Sequence, residues 1–509
     1  MSTVSGVDQL TVVDVLGPLR ELPDWLVAAA DPVRVANALV ASVPELREGR
    51  LRVTAVDSGQ ARLKEDRWTI RYRVTLTDPD GGERTLRLLG TLVPPGHVQP
   101  DARPPSVPLG AAGWRCWLSR LGMPVEVEPP DDDLPALAVL VDPERSRALL
   151  EAAIAEQSPR HRDLRIATCE PRVARYSPGS RCTVLYRLGF DCVEGSSRGP
   201  DLVVAKTYHG DKGRVAWGGM RAVWDSPLSR GDPVHVAEPL AFLPELNVLI
   251  QGPVREEQTL KQLIVEAWRT HAAAARARLD TAVAQAAHGL AVLHGCGAAA
   301  EVTVTWEDEL ADVRQALGRL GNAIPALPPT VEPLLAELAA RAAACPADPV
   351  GPAHRSFRPA QVLLCGADAS VIDFDGFCHA EPALDVAMFR ATVRDIALGE
   401  LTDDVERASR DEALHARADE VDALCDAFLA RYESHRPVSR ARVALYETLD
   451  LLTVVLHSWT KVKPSRLRHG MVLLERHLRT PGTLRRPRAR PGSRVRAGGN
   501  RAGPARASP

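Results

Sequence analysis

Two stretches of the chain alternate apolar and polar residues with a period of two, which is typical of half-buried β-strands. They span residues 51–92 and 164–208, and each follows a helical segment, DPVRVANALVASV before the first and DPERSRALLEAAIAEQ before the second. The two copies align with one short gap and share three matched pairs: Leu51 with Leu164, Tyr72 with Tyr186, and Leu86 with Leu202. This repetition predicts a duplicated unit of helix and antiparallel sheet, against the alternative that any two Arg- and Leu-rich hairpins look alike.

One difference between the copies concerns a lysine. The second copy reads LVVAKTY and places Lys206 on a strand, whereas the first reads LRLLGTL, with Gly90 at the matching position. The chain has only six lysines among its 63 basic residues, so a strand lysine is notable here. If this lysine has a catalytic or binding role, only the second unit can perform that role.

From about residue 255 the period changes to 3.6, which predicts helices. The predicted helices span 271–295, 305–320, 330–344, 403–433, 438–460 and 464–479. Among them, 362–364 and 370–374 flank a five-residue turn and predict one β-hairpin. The class predicted by these patterns is α+β, with a small sheet-rich lobe before a larger helical lobe.

Composition excludes several classes of protein. The chain has 509 residues, 63 basic against 65 acidic, and a formal net charge of −2, which excludes a globally basic nucleic-acid binder. Residues 481–509 hold eight arginines and no acid, so we predict a disordered tail, either purely solvated or in loose contact with nucleic acid or an acidic surface. Nine cysteines without a CxxC pair, and the absence of a signal peptide or long apolar run, favour a cytoplasmic protein without a membrane span.

The stretch 354–389 carries the candidate chemistry. A loop from His354 enters the predicted hairpin, and the hairpin brings Gln361 on its first strand beside Asp373 on its second. Two oxygen ligands facing one point form a plausible Mg²⁺ site, because Mg²⁺ takes few hard oxygen ligands together with phosphate oxygens. Lys206 could supply a point charge to a phosphate group.

These residues resemble the catalytic core of the aminoglycoside phosphotransferase and choline kinase-like family, including its maltokinase-like members. The family pattern runs H-G-D-x-x-x-x-N, a hairpin, I-D-F and G-D-P-x-x-D. This chain reads His354-Arg355-Ser356, then Gln361, Ile372-Asp373-Phe374 and Glu381-Pro382-Ala383-Leu384-Asp385. The resemblance covers roughly 145–480 and implies a two-lobed protein kinase-like fold that uses ATP and Mg²⁺.

The same resemblance implies a role for each matching residue. By this resemblance, the nucleotide is contacted by Lys206, by Gly179 in the SPG turn over the phosphates and by Gln251 in the hinge VLIQGPV. The metal is bound by Gln361, where most members have Asn, and by Asp373. His354 and Asp385 brace the catalytic loop, and Asp375 is either a second metal ligand or a turn residue. Arg355 and Arg358 either hold an anion or belong to a solvated loop.

The chain departs from the family pattern at two places, and the first of them makes the catalytic loop degenerate. Ser356 stands at the position of the catalytic Asp, and a serine hydroxyl is not a base near pH 7. The helix expected to pair a Glu with Lys206, at 212–225, contains no Glu, and Asp225 is its only acid. The predicted function is therefore phosphoryl transfer to a hydroxyl of an unidentified small molecule, with a pseudokinase scaffold that binds nucleotide or a partner as the alternative.

The sequence predicts four parts in chain order. Residues 1–140 form an N-terminal cap module that resembles a kinase small lobe, and 141–254 form the kinase-like N-lobe. Residues 255–480 form the helical C-lobe, and 481–509 form the tail. A nucleic-acid-associated protein that acts through this tail is a third and more distant interpretation.

Overall fold

The structure is a computed structural model that describes residues 16–96, 106–190, 199–230, 234–400 and 407–480. The predicted disordered tail and Cys192 lie outside these ranges. The eight cysteines within them are free thiols. None of the helices in these ranges combines the length and the apolar character needed to cross a bilayer.

The N-terminal module is a six-stranded antiparallel sheet with three short helices. Its sheet has the order β1-β3-β4-β6-β5, with β2 paired to β3. Asp31 caps the second helix by accepting hydrogen bonds from the backbone N–H groups of Val33 and Arg34. The elements are α1 (Asp24–Ala30), α2 (Pro32–Ser42), α3 (Pro44–Arg47), β1 (Arg52–Ser58), β2 (Arg62–Lys64), β3 (Arg67–Thr77), β4 (Glu83–Leu92), β5 (Arg115–Leu118) and β6 (Met123–Val127).

The small lobe carries a second antiparallel sheet, of order β11-β12-β9-β8-β7, with its own buried core. Leu134, Ala136 and Leu140 already belong to this core, so its packing begins before residue 141. The elements are α4 (Leu137–Leu140), α5 (Pro143–Gln157), β7 (Thr168–Ser177), β8 (Arg181–Gly189), β9 (Leu202–Tyr208), α6 (Lys212–Trp224), β11 (Pro239–Leu243) and β12 (Val248–Gln251).

The two sheets share the repeated feature that the sequence predicts. The hydroxyl group of Tyr72 donates to the carbonyl oxygen of Ala29 at 2.7 Å, and that of Tyr186 donates to the carbonyl oxygen of Leu140 at 2.8 Å. In each copy, a buried strand tyrosine therefore ties the sheet to the helical segment before it.

The proposed match of Gly90 with Lys206 is wrong by one residue. Tyr72 lies opposite Leu88, whereas Tyr186 lies opposite Val203, so Thr91 is the residue equivalent to Lys206. Gly90 faces the core, where an added Cβ would lie 2.8 Å from the Tyr72 ring. A slip of one residue exchanges the two faces of a strand, so a lysine at Gly90 would point into the core.

In its described residues the C-lobe contains eight α-helices, which confirm the helix pattern predicted from residue 255 onward. They are α7 (Leu260–Thr270), α8 (Ala273–Gly295), α9 (Trp306–Ala323), α10 (Leu327–Ala344), α11 (Pro382–Gly399), α12 (Arg407–Glu433), α13 (Arg440–Thr460) and α14 (Pro464–Arg479). Two small sheets lie among them: β10 (His235–Val236), β16 (Asp368–Val371), β15 (Val362–Cys365) and β13 (Gln258–Thr259) in that order, and β14 (Gly351–Ala353) with β17 (Cys378–Ala380).

The predicted hairpin is present, but its turn is tighter than the sequence indicates. β15 and β16 pair from Val362–Val371 to Cys365–Asp368, which leaves two residues in the turn rather than five. Asp373 is therefore beyond the strand rather than in it, and it adopts a left-handed backbone conformation with φ of 74°. A positive φ is costly for a residue other than glycine and often marks a functional site.

The N-terminal module packs on the C-lobe as well as beside the small lobe. The indole N–H of Trp68 donates to the carbonyl oxygen of Trp459 at 3.2 Å, and that of Trp459 donates to the carbonyl oxygen of Leu19 at 2.9 Å. Buried residues of the module and the C-lobe form one continuous hydrophobic core. The fold is the predicted α+β, two-lobed, kinase-like architecture with an additional N-terminal module.

Candidate active site

The central feature of the site is an ion cluster that joins the two lobes. The ammonium group of Lys206, on β9, lies 2.7 Å from the carboxylate of Asp373 and 3.2 Å from that of Asp375. The carboxylates belong to the short segment after β16, in the C-lobe. Only 12% of the Lys206 side chain is exposed. Since a lone buried charge is expensive, both carboxylates contribute to holding this lysine charged.

The charges of the cluster shift the pKa values of its members. Burial alone would lower the pKa of Lys206, but the charges of Asp375 and Asp373 raise it above its usual value. Burial would likewise raise the pKa of Asp373, yet Lys206 holds it well below its usual range. Burial raises the pKa of Asp375, and the Asp373 carboxylate adds to that rise while Lys206 opposes it. Two carboxylates this close cannot ionise independently.

Asp375 has two further partners, which the sequence analysis missed. The Tyr208 hydroxyl donates to its carboxylate at 2.9 Å, and the Arg181 guanidinium donates to it at 3.3 Å. Tyr208 lies two residues after Lys206 on β9, so strand periodicity puts both side chains on one face. The strand periodicity therefore predicts that Tyr208 lies on the same face as Lys206. The position of Arg181 near Asp375 depends on the contact between the lobes, which the sequence does not indicate.

The helix α6 supplies no carboxylate to Lys206, as its sequence predicts. Instead, Gly219 of α6 packs directly on the segment after Asp373, where an added Cβ would lie 2.6 Å from the Cβ of Phe377. The acid of this helix region, Asp225, pairs with the neighbouring Arg221 at 3.5 Å. Asp375 thus occupies the position of counter-ion that the sequence analysis assigned to a missing Glu.

Gln361 fits the predicted role of metal ligand. It ends a short 3₁₀ turn before β15, and its backbone carbonyl accepts from the N–H of Ile372, which puts it beside Asp373. Its side-chain carbonyl oxygen is buried and has no hydrogen-bond partner. Such an orphaned acceptor is uncommon in a folded protein, because desolvation without a partner costs about 1–3 kcal/mol.

The donor set around Gln361 suits a hard cation. Within the described part of the chain, no three His, Cys, Asp or Glu side chains form a metal cluster. The site offers two carboxylates and one amide oxygen, a small set that matches Mg²⁺ when phosphate oxygens supply further ligands.

The catalytic loop places Ser356 against His354. The buried His354 ring contacts the carbonyl oxygen of Ile372 through Nε2 at 3.0 Å and the Ser356 hydroxyl through Nδ1 at 3.2 Å. A carbonyl oxygen only accepts, so Nε2 carries the proton and Nδ1 accepts from the serine. Burial lowers the pKa of His354, although Asp385 and Asp373 oppose this shift, so the ring is neutral near pH 7.

Asp385 lies where a loop brace is expected. Its fully buried carboxylate accepts hydrogen bonds from the backbone N–H of His354 at 2.6 Å and of Phe357 at 3.4 Å. It also accepts from the ring of His294 at 3.2 Å. Burial would raise the pKa of Asp385, but these contacts lower it. Asp385 therefore fixes the loop and does not reach reacting atoms.

Gly179 and Gln251 both belong to the small lobe. Gln251 is buried at the end of β12, before the connection to the C-lobe. Gly179 has φ of 64° in the β7–β8 turn, but its N–H donates to Asp131 at 2.9 Å. The expected free phosphate-binding amide at Gly179 is therefore not present, because Asp131, in the acidic linker between β6 and α4, already accepts its hydrogen bond.

Comparison with known proteins gives one family match. Residues 229–459 match the sequence profile of the phosphotransferase enzyme family. This span begins after Lys206 and includes the catalytic loop, the hairpin and Asp385. No curated protein matches the chain at a significant level.

Several solved structures resemble this one at low sequence identity. A glucosamine kinase has 16% identity and a TM-score of 0.41, covering 89% of this chain and 98% of that chain. A choline kinase from Cryptosporidium parvum Iowa II has 10% identity and a TM-score of 0.43, covering 65% and 95%. A putative fructosamine-3-kinase from Thermobifida fusca has 17% identity and a TM-score of 0.39, covering 65% and 97%. The chain is thus similar to the phosphotransferase enzyme family over residues 229–459, somewhat less than half of its length.

Proposed function

We propose that the site around Lys206, Asp373 and Asp375 binds ATP with Mg²⁺ and transfers the γ-phosphoryl group to a hydroxyl group of a small molecule. The observation that carries this proposal is the Lys206 ammonium held between Asp373 and Asp375 across the two lobes. The match of residues 229–459 to the sequence profile of the phosphotransferase enzyme family supports it. Phosphoryl transfer depends mainly on positioning and charge neutralisation, and this cluster provides both kinds of group.

The residues that would hold Mg²⁺ are Gln361, Asp373 and Asp375. The orphaned amide oxygen of Gln361 gains a partner there, and the two carboxylates supply negative charge. Bound Mg²⁺ would neutralise charge on the transferring phosphoryl group.

The cationic side chains of the cluster would orient the nucleotide phosphates. The compact ammonium group of Lys206 is fixed by the carboxylates of Asp373 and Asp375. Arg181, on the strand adjacent to that of Lys206, lies 3.3 Å from Asp375. Both cations come from the small lobe, so phosphate binding draws the small lobe toward the metal-binding segment of the C-lobe.

The weak point of the site is the proton of the acceptor hydroxyl. The Ser356 hydroxyl donates a hydrogen bond to His354, and a serine hydroxyl does not act as a base near pH 7. The loss of a general base typically lowers a rate by about 10²–10⁴-fold. This observation favours a second candidate function, a pseudokinase that binds nucleotide without turnover.

Phosphoryl transfer decides between the two candidates. ADP formation is measured from Mg·ATP with sugars, amino sugars, amino alcohols and sugar acids as acceptors, in the wild type and in Asp373→Ala. We expect acceptor-dependent turnover that is slower than the roughly 1–100 per second of ordinary kinases and that Asp373→Ala abolishes. Nucleotide binding without any acceptor-dependent ADP would favour the pseudokinase, and absence of nucleotide binding would exclude both candidates.

A further inference from the structure

The linker between β6 and α4 lies on the β7–β8 turn of the small lobe. It spans residues 128–136 and carries three consecutive acids, at positions 131–133. One carboxylate oxygen of Asp131 accepts a hydrogen bond from the backbone N–H of Gly179 at 2.9 Å. The same oxygen accepts from the hydroxyl group of Tyr176 at 2.6 Å. We call this pair of hydrogen bonds to Asp131 the latch.

The geometry of the turn leaves the Gly179 amide free for such an acceptor. The turn is closed by the N–H of Ser180, which donates to the carbonyl oxygen of Ser177 at 3.0 Å. Its central residues are Pro178 and Gly179, and Gly179 has φ of 64°, which is the pattern of a type II turn. The closing hydrogen bond does not use the N–H of Gly179, so this donor is available to whichever group lies against the turn.

A second acid of the linker lies against the same turn. An added Cβ at Gly179 would lie 2.9 Å from the carboxylate of Asp133. The ring of His209, just after β9, contacts the carbonyl oxygen of Asp133 through Nδ1 at 3.4 Å. The linker is therefore in direct contact with the turn on both sides of the Gly179 amide, through one acid at the latch and one beside it.

The N-terminal module holds both the linker and the turn. The guanidinium group of Arg71, on β3, donates to the carboxylate of Glu128 at 2.6 Å, at the start of the linker. The guanidinium group of Arg62, on β2, donates to the carbonyl oxygen of Pro178 at 2.7 Å, in the turn itself. The module therefore keeps the two partners of the latch together.

The turn lies next to the candidate active site. Gly179 precedes Arg181 by two residues, a step of at most about 7 Å along the backbone. Arg181 begins β8, lies 3.3 Å from Asp375 and pairs in the sheet with Tyr208, which donates to the same carboxylate. The amide that Asp131 occupies is therefore close to the cluster that would hold the phosphates and the metal.

The Asp131 carboxylate and a nucleotide phosphate compete for the same donor. Both are anions that form charge-assisted hydrogen bonds with backbone N–H groups. Two like charges at one donor repel each other, so the amide serves one of them at a time. We infer that the latch is an autoinhibitory contact, in which the chain's own carboxylate occupies the anion-binding amide of the β7–β8 turn until the phosphates of Mg·ATP displace it. This inference rests on the proposed function and adds a regulation to that site.

The linker has space into which it can withdraw. A cavity of about 750 Å³ lies along it, lined among others by residues 128–132 of the linker and residues 85–87 of β4. Leu134 is buried in the core of the small lobe and fixes the end of the linker. Displacement of Asp131 can therefore be confined to residues 129–133, and both sheets stay in place.

The test measures the affinity of the full chain for Mg·ATP by calorimetric titration, at constant ionic strength because salt screens these charges. Asp131→Ala removes the acceptor of the latch, and Tyr176→Phe removes one of its donors but keeps the carboxylate. Asp132→Ala is the matched control, because it removes the exposed neighbouring acid. Hydrogen exchange at residues 177–181 without nucleotide reports directly on whether Asp131→Ala opens the latch.

We expect Asp131→Ala to bind Mg·ATP about tenfold more tightly than the wild type, because one charge-assisted hydrogen bond no longer has to be broken. Tyr176→Phe should tighten binding by a smaller factor, and Asp132→Ala should leave it unchanged. Residues 177–181 should exchange faster in Asp131→Ala than in the wild type. The inference is overturned if Asp131→Ala binds no more tightly than the wild type, if Asp132→Ala tightens binding equally, or if exchange at 177–181 does not change.

The same titrations separate the latch from the proposed function. If the wild type binds Mg·ATP and Asp131→Ala merely equals it, the latch is wrong and nucleotide binding remains. If none of the four proteins binds Mg·ATP, both are wrong, whereas binding by Asp131→Ala alone would support both. If Asp131→Ala does not fold, Tyr176→Phe decides, because a purely structural contact predicts weaker binding in that variant and the latch predicts tighter binding.

Discussion

Replacing Asp375 with Asn tests whether this residue serves as the counter-ion of Lys206. The change keeps the shape of the side chain and leaves an oxygen that can accept from the Tyr208 hydroxyl. It removes one of the two carboxylates that face the buried ammonium, and it leaves Arg181 with Asp373 at 3.9 Å as its remaining acid in the cluster.

The expected loss of stability depends on the carboxylate that still faces Lys206 in the variant. Breaking a buried ion pair by removing one partner typically costs about 3–5 kcal/mol, because the other charge is left uncompensated. Here Asp373 still lies 2.7 Å from Lys206, so we expect about half of that loss, about 2 kcal/mol. We also expect the dissociation constant of Mg·ATP to rise about tenfold, since Lys206 is less well fixed and a metal ligand is lost.

Urea unfolding and calorimetric titration with Mg·ATP measure the two effects. The matched control is Asp225→Asn, which removes the acid of the helix that the sequence analysis expected to supply the partner. That variant should bind Mg·ATP like the wild type. If Asp225→Asn weakens binding as much as Asp375→Asn does, or if Asp375→Asn changes neither stability nor affinity, Asp375 is not the partner of Lys206.

Three further predictions follow from other parts of the structure. Ser356→Asp should raise acceptor-dependent ADP formation by up to about 10²-fold, because it restores a carboxylate where the hydroxyl proton must leave; a steady-state rate no higher than wild type would contradict this. Glu447→Gln should lower the free energy of unfolding by about 2 kcal/mol, because Arg390 and Arg394 lose the buried acid they share and keep only the more exposed Asp426 and Asp422. Burial opposes ionisation of Glu447, but these arginines lower its pKa to about 2, below its value in the unfolded chain. The contribution of Glu447 to the free energy of unfolding should therefore be complete above about pH 4.3 and be lost as the pH falls toward 2. Urea titrations at several pH values should show this loss in the wild type and not in Glu447→Gln. Mg·ATP should leave hydrogen exchange at residues 60–90 unchanged, since Thr91 replaces the lysine in that module; clear protection there would refute its role as a cap.

The sequence was sufficient for the elements whose pattern is long and regular. The helices from 271 onward have an apolar stripe over many turns, and the structure places them within a few residues of the predicted bounds. The sequence also predicts the hairpin but not the length of its turn. The composition of 365–369 fits a longer connection as well as the two-residue one that is present, which Gly366 allows through its positive φ.

The candidate site was only partly accessible from the sequence. Gln361 and Asp373 flank one predicted hairpin, so their proximity could be predicted, and the family resemblance implies that Lys206 lies near them. Tertiary contacts decided the rest: Arg181 reaches the carboxylates across the lobes, and Asp131 of the linker occupies the amide of Gly179. Neither contact leaves a periodic signal along the chain.

The central claim is that Lys206 and the carboxylates after β16 form a site for Mg·ATP. The most direct measurement is the thermal stability of the full chain during titration with ATP, with and without Mg²⁺, in the wild type and in Asp373→Ala. Binding to the folded state alone stabilises a protein by about 2.7 kcal/mol when the ligand exceeds its dissociation constant 100-fold. We predict a saturable, Mg²⁺-dependent rise in Tm for the wild type that is largely lost in Asp373→Ala. No rise at millimolar Mg·ATP, or an equal rise in both proteins, would contradict the claim.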